Sequence, residues 1–212
     1  MPRTSAPVRF GSIAVKTPLV LSGQRIGVMG GSFNPPHEGH AIVATTALKR
    51  LKLDQLWWLV TPGNPLKLNG SLAPLAERIA ACEQLILDPK MRVTAFEAQL
   101  KTPYTAATLG FLKARYPAVT FIWVMGADNL ATFHRWQHWR GIARCMSIAV
   151  VDRPGWRLRA LSSPAVLSLA RKRLPEAQSS TLGHRNRPRW TLLSTRLSHA
   201  SSTQLRANKA ST

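Results

Sequence analysis

Between Ile26 and Leu48 the chain passes through three kinds of segment in quick succession. A short apolar run, Ile26-Gly27-Val28-Met29, leads into a turn, Gly30-Gly31-Ser32-Phe33-Asn34-Pro35-Pro36-His37-Glu38-Gly39-His40, and then into a helical apolar pattern, Ala41-Ile42-Val43-Ala44-Thr45-Thr46-Ala47-Leu48. Strand, glycine turn and helix start in that order open a βα unit. The alternation recurs along the chain. Strands are predicted over 25–29, 55–61, 91–95, 120–125, 146–151 and 190–193, and helices over 38–52, 74–87, 105–116, 127–130 with 136–143, 163–174 and 202–208. Pro74 suits a first helical turn, Asp88-Pro89 stops that helix, and Thr105 and Ser202 are candidate N-caps. The pattern implies an α/β fold with a doubly wound sheet of mostly parallel strands. The polar, basic stretch 179–188 reads as a flexible loop, and residues 1–24 as a flexible leader to a single domain over 25–212.

The net charge of +20 in 212 residues favours polyanionic partners. Part of the excess is local: from Val151 onward twelve Lys and Arg stand against only Asp152 and Glu176. Cys82 and Cys145 are far apart, which argues for a reducing cytoplasmic setting and against a zinc ribbon or disulfide framework. No apolar run reaches membrane-spanning length.

The turn itself points to an anion. Glycines let backbone amides approach a phosphate, and a helix start supplies unpaired N–H groups and a partial positive charge. His37 and His40, three residues apart, add side-chain donors there. The spacing of Gly27, Gly30 and Gly31 is not that of the dinucleotide fingerprint, and no P-loop sequence occurs. A metal reading of the histidine pair would want a third ligand, and the only acid beside it, Glu38, lies on another side of the helix. Trp57, Trp58 and Trp123, on strands, read as core.

Gly30–His40 resembles the signature of the His-x-Gly-His nucleotidyltransferase superfamily. Three further segments make the chain similar to the nicotinate-nucleotide adenylyltransferases. They are Thr61-Pro62-Gly63-Asn64-Pro65-Leu66-Lys67, then Gly126-Ala127-Asp128-Asn129-Leu130 followed by Phe133 and Trp136, and last Ser201-Ser202-Thr203-Gln204-Leu205-Arg206. Asn34 stands where many relatives have Asp, which keeps a turn-forming side chain and removes a charge.

The resemblance implies a Rossmann-like fold and an adenylyl transfer from ATP to nicotinate mononucleotide, giving deamido-NAD and pyrophosphate, with Mg²⁺ travelling on the ATP. It implies catalytic roles for His37, His40 and Arg206. ATP contacts would come from Gly30, Gly31, Ser32, Phe33, Lys67, Arg153, Ser202 and Thr203. The pyridine nucleotide would meet Tyr104, Thr105, Asp128 and Trp136. Two rivals stay open at this level. One is a sister enzyme, a phosphopantetheine adenylyltransferase or cytidylyltransferase. The other is a basic nucleic-acid-binding protein on the same fold, with a nonspecific basic patch as its milder form.

Overall fold

Each of the six predicted runs forms a strand, and all but the edge strand Met91–Thr94, where Arg92 is exposed, are largely buried on both faces, as a parallel sheet requires. In the computed structural model the described residues are 9–10, 13–63, 72–100, 104–184 and 187–195. A short antiparallel pair, β1 (Arg9–Phe10) with β2 (Ile13–Ala14), precedes the main sheet. The sheet contains β3 (Arg25–Gly31), β4 (Gln55–Val60), β5 (Met91–Thr94), β6 (Thr120–Gly126), β7 (Ser147–Val151) and β8 (Trp190–Leu193). Their order is β5-β4-β3-β6-β7-β8, and every neighbouring pair is parallel. Strand β3 is therefore central, and the chain winds outward from it in both directions.

The helices are α1 (Glu38–Arg50), α2 (Leu75–Leu85), α3 (Thr105–Arg115), α4 (Ala127–Thr132), α5 (Trp139–Cys145), α6 (Arg157–Leu161) and α7 (Pro164–Ser168). Two apolar layers result. Residues of α1 and α2, including Val43, Leu48 and Cys82, pack with Trp58, Val60 and Val124 on one face. Residues of α3, α4 and α5, including Leu109, Leu130 and Ile142, pack with Trp57, Leu59 and Trp123 on the other. Trp57 and Trp58 are consecutive and therefore point to opposite layers. Val15, upstream of the sheet, belongs to the second layer and has no exposed surface.

Some local expectations need correction. Helix 163–174 stops early. Ser163 Oγ accepts from the Val166 amide to cap α7, but beyond Leu169 the chain turns to dock on the sheet, where the Leu174 amide donates to Trp190 O (2.7 Å). The helix predicted over 136–143 begins only at Trp139, because His138 adopts a left-handed φ of 55°. Helix α6 was not expected. Tyr104, not Thr105, is the N-cap of α3. The start of the segment read as a flexible loop is packed: Ser179 and Leu182 are buried, and Arg25 Nη2 donates to Ser180 O (3.0 Å) and Leu182 O (2.9 Å). The helix expected over 202–208 lies outside the described residues.

Where β3 meets β6 there is no room for a side chain at residue 30. A Cβ on Gly30 would stand 2.4 Å from Trp123 Cη2, and the Trp123 ring is buried with little freedom to yield. Gly30→Ala is expected to destabilise the protein by about 1–3 kcal/mol through overpacking. Urea unfolding should show a lowered midpoint with an unchanged slope.

Candidate active site

Strand order reverses at β3. The connection after β3 leads toward β4, while β6 lies on its other side, so a crevice opens at the carboxyl ends of β3 and β6. The glycine turn leaves β3 at this point. Gly30 and Gly31 close the strand, paired with Leu59 and Val60 of β4, and Gly31 O accepts from the Thr61 amide (2.9 Å). Phe33 takes a left-handed φ of 46° and buries its ring against Trp58, stacked at 5.1 Å, with His40 edge-on at 5.0 Å. Asn34 Oδ1 accepts from the Ala73 amide (3.2 Å), tying the turn to the approach to α2.

His37 is the N-cap of α1, with extended backbone, and His40 sits one turn in. The His37 amide donates to His40 Nδ1 (3.2 Å), the His40 amide donates to His37 O (2.8 Å), and the two rings lie 3.8 Å apart. His37 is only 6% exposed, and its Nδ1 is buried without a partner. Burial, reinforced by the nearby Arg153 and partly countered by Asp128, pushes His37 down to about 4. At neutral pH His37 is thus an uncharged donor and acceptor.

Asp128 lies in the first turn of α4 and Arg153 follows β7. Arg153 Nη1 donates to Asp128 Oδ2 at 3.0 Å, while Asp128 Oδ1 is buried and unpartnered. Gly126 makes this possible. A Cβ there would fall 2.4 Å from Asp128 Oδ1 and 2.9 Å from Arg153 Cδ. Asp152 anchors the same loop through the Arg153 amide (2.9 Å) and Arg157 Nη1 (2.9 Å).

Of the residues singled out in the sequence, the fold gathers Gly30, Gly31, Ser32, Phe33, His37, His40, Asp128 and Arg153 at this crevice. Trp136 reaches it indirectly. It packs edge-to-face on Phe133 (5.4 Å) and on Trp123 (6.2 Å), the ring that covers Gly30. Tyr104, 41% exposed, and Thr105 stand at the start of α3. Lys67, Ser202, Thr203 and Arg206 lie outside the described residues. Two buried polar residues escaped the sequence reading. Glu97, its carboxyl pushed up by burial, accepts from Thr108 Oγ1 of α3 (2.6 Å). Arg78 of α2 is 3% exposed and donates to Ser32 O (2.7 Å), Thr61 O (2.8 Å) and Ala73 O (2.9 Å). Its position four residues before the buried Cys82 was the available signal that it faces inward.

Helix start, histidine pair and a compensated arginine together offer the donors that would suit a polyanion. Among the described residues no group of three His, Cys, Asp or Glu could hold a metal. The available oxygen donor is Asp128 Oδ1, which suits a hard cation carried on substrate phosphates better than one caged by protein.

Comparison with known proteins is consistent with this chemistry. The chain matches the cytidylyltransferase-like family over residues 28–208. A protein of Agrobacterium fabrum named "Probable nicotinate-nucleotide adenylyltransferase" is 55% identical over 183 residues, 86% of this chain and 98% of its own. A protein of Rhizobium meliloti with the same name is 55% identical over 87% of this chain and 98% of its own. Among solved structures, Plasmodium falciparum nicotinic acid mononucleotide adenylyltransferase, complexed with APC or with NaAD, shares the fold. Its TM-score is 0.65 at 17% identity, covering 87% of this chain and 83% of that one.

His37 should therefore titrate near 4 and not near the ordinary histidine value, as followed by NMR of its ring protons. Arg153→Met should raise that value and Asp128→Asn should lower it further. The sign for stability follows. Because the unfolded chain binds this proton more readily, His37 makes the fold weaken as pH falls from about 6.5 toward 4, and adds nothing further below that.

Proposed function

Because the chain belongs to the nicotinate-nucleotide adenylyltransferases, we infer that it joins nicotinate mononucleotide to the α-phosphate of ATP, giving deamido-NAD and pyrophosphate. It is a nucleotidyltransferase of NAD biosynthesis, and the sister-enzyme and nucleic-acid readings fall behind this one. The observation that supports the site assignment is the convergence of His37, His40, Asp128 and Arg153 at one strand-order reversal.

A phosphate oxygen of nicotinate mononucleotide attacks the α-phosphorus. The bond from that phosphorus to the bridging oxygen breaks, and its electron pair leaves on pyrophosphate. A phosphate monoester, with a second pKa of about 6, is already ionised at neutral pH, so no strong base is needed. The task is to align two polyanions and stabilise the charge that builds between them.

In our reading the backbone of Gly30, Gly31, Ser32 and Phe33 and the first turn of α1 receive the ATP phosphates. His40 donates to the α-phosphate. His37, uncharged and dry, donates a hydrogen bond without adding charge. Arg153 exchanges part of its contact with Asp128 for phosphate. Lys67, Ser202, Thr203 and Arg206 are assigned to the same phosphates, Arg206 with a catalytic role. Trp136 supplies a face for the pyridine ring, with Tyr104, Thr105 and Asp128 completing that pocket. A divalent cation goes with ATP in this family of reactions, and we take it to be Mg²⁺. It would neutralise phosphate charge, held by the phosphates and water with Asp128 Oδ1 nearby. We regard residues 25–212 as the nucleotidyltransferase unit. Two unpaired cysteines, Cys82 buried and Cys145 half-buried, support a cytoplasmic setting, and no helix among the described residues is long and apolar enough to cross a membrane.

Pyrophosphate release should follow addition of nicotinate mononucleotide to ATP and Mg²⁺, and not addition of phosphopantetheine. Release with phosphopantetheine alone would overturn the assignment. His40→Ala should lower kcat by about 100-fold or more while changing ATP affinity little, since the contact strengthens as charge develops. Steady-state kinetics and ATP binding separate the two. Trp136→Ala should raise the KM for the pyridine nucleotide by about tenfold and leave that for ATP alone. An unchanged KM would confine Trp136 to packing.

A further inference from the structure

Arg78 is a buried cation with no carboxylate. Among the described residues, its guanidinium meets only main-chain oxygens: Ser32 O, Thr61 O, Ala73 O and, at 3.5 Å, Pro62 O. Burial holds it below the ordinary arginine range. A buried charge without a counter-ion is costly. An apolar side chain such as Met would bury the same stretch of α2 without the cost of a charge, so this arginine is there for what it holds. It joins three segments at one end of the sheet: the turn after β3, the turn after β4 and the approach to α2.

The bond to Ser32 O has a geometric consequence. A trans peptide is planar, with its C=O and N–H pointing in opposite directions. Fixing the Ser32 carbonyl on Arg78 turns the Phe33 N–H away from α2. That amide has no acceptor among the described residues, and it belongs to a residue whose left-handed φ is adopted only when its surroundings enforce it.

We propose that Arg78 is a positioning residue for ATP: it fixes the Ser32–Phe33 peptide so that the Phe33 amide faces the crevice as a phosphate donor. The proposal rests on the adenylyltransferase reading for the identity of the ligand. Lysine at this position keeps the charge and loses the planar fork that spans several carbonyls.

The test compares wild type with Arg78→Lys for binding of α,β-methylene-ATP, for the KM of each substrate, and for thermal unfolding. The expected result is about a tenfold weaker nucleotide affinity with the KM for nicotinate mononucleotide within about twofold of wild type. Equal weakening of both substrates, or a lowered melting temperature with unchanged nucleotide affinity, would overturn the proposal and leave Arg78 a stabilising residue only. A second measurement needs no variant. In the wild-type protein, the analogue should slow hydrogen exchange of the Phe33 amide by about tenfold or more, and an unchanged rate overturns the proposal. Absence of pyrophosphate release by wild type would refute the adenylyltransferase reading separately, since both nucleotide-binding measurements proceed without the second substrate.

Discussion

The close approach of β3 and β6 governs what the rest of the molecule can do. Their pairing puts the Trp123 ring over Gly30, so that the central strand ends in bare backbone. With no side chain at residue 30, the strand can carry a bulky neighbour on one side and still deliver the chain into a tight turn. Everything that follows β3 is aimed from this point. Phe33 folds under His40, His37 caps α1, and the two histidine rings lie 3.8 Å apart at a tilt of 35°. Gly126 does the corresponding work for β6, since only a hydrogen there leaves space for Asp128 and Arg153 to meet.

The charges around this crevice are handled one at a time. Arg153 is compensated by Asp128, Arg78 by a ring of carbonyl dipoles, and His37 stays neutral with one ring N–H. Each solution lowers the cost of holding a polar group away from water. Each also leaves the group able to bond with an arriving phosphate or to orient one that does.

The doubly wound sheet was legible in the sequence because its strands, the edge strand β5 apart, are buried on both faces. Such strands read as unbroken apolar runs, and all six were located to within a few residues. The glycine turn and histidine pair were legible for a similar reason: unusual residue types at fixed spacing leave few alternatives. What escaped was set by tertiary contact. The helix expected over 163–174 yields to docking of Leu174 on β8, and no local propensity signals that. Arg78 went unnoticed because its partners are main-chain oxygens from three segments, which carry no residue signature. The packing role of Gly30 was hidden in the same way, since the ring that fills its place is ninety-three residues away in the chain.

A net charge of +20 and a compensated crevice serve different stages of one event. Exposed lysines and arginines act through solvent, where salt screens them beyond about 8 Å at physiological ionic strength. They raise the local concentration of nucleotides without choosing among them. Choice falls to groups whose positions are fixed, because a buried donor lacking its intended acceptor costs free energy that a surface charge does not. His37, the Phe33 peptide and the Asp128–Arg153 pair are of that kind. The chain can therefore be strongly basic overall while the described groups that line this crevice are neutral, paired or part of the backbone.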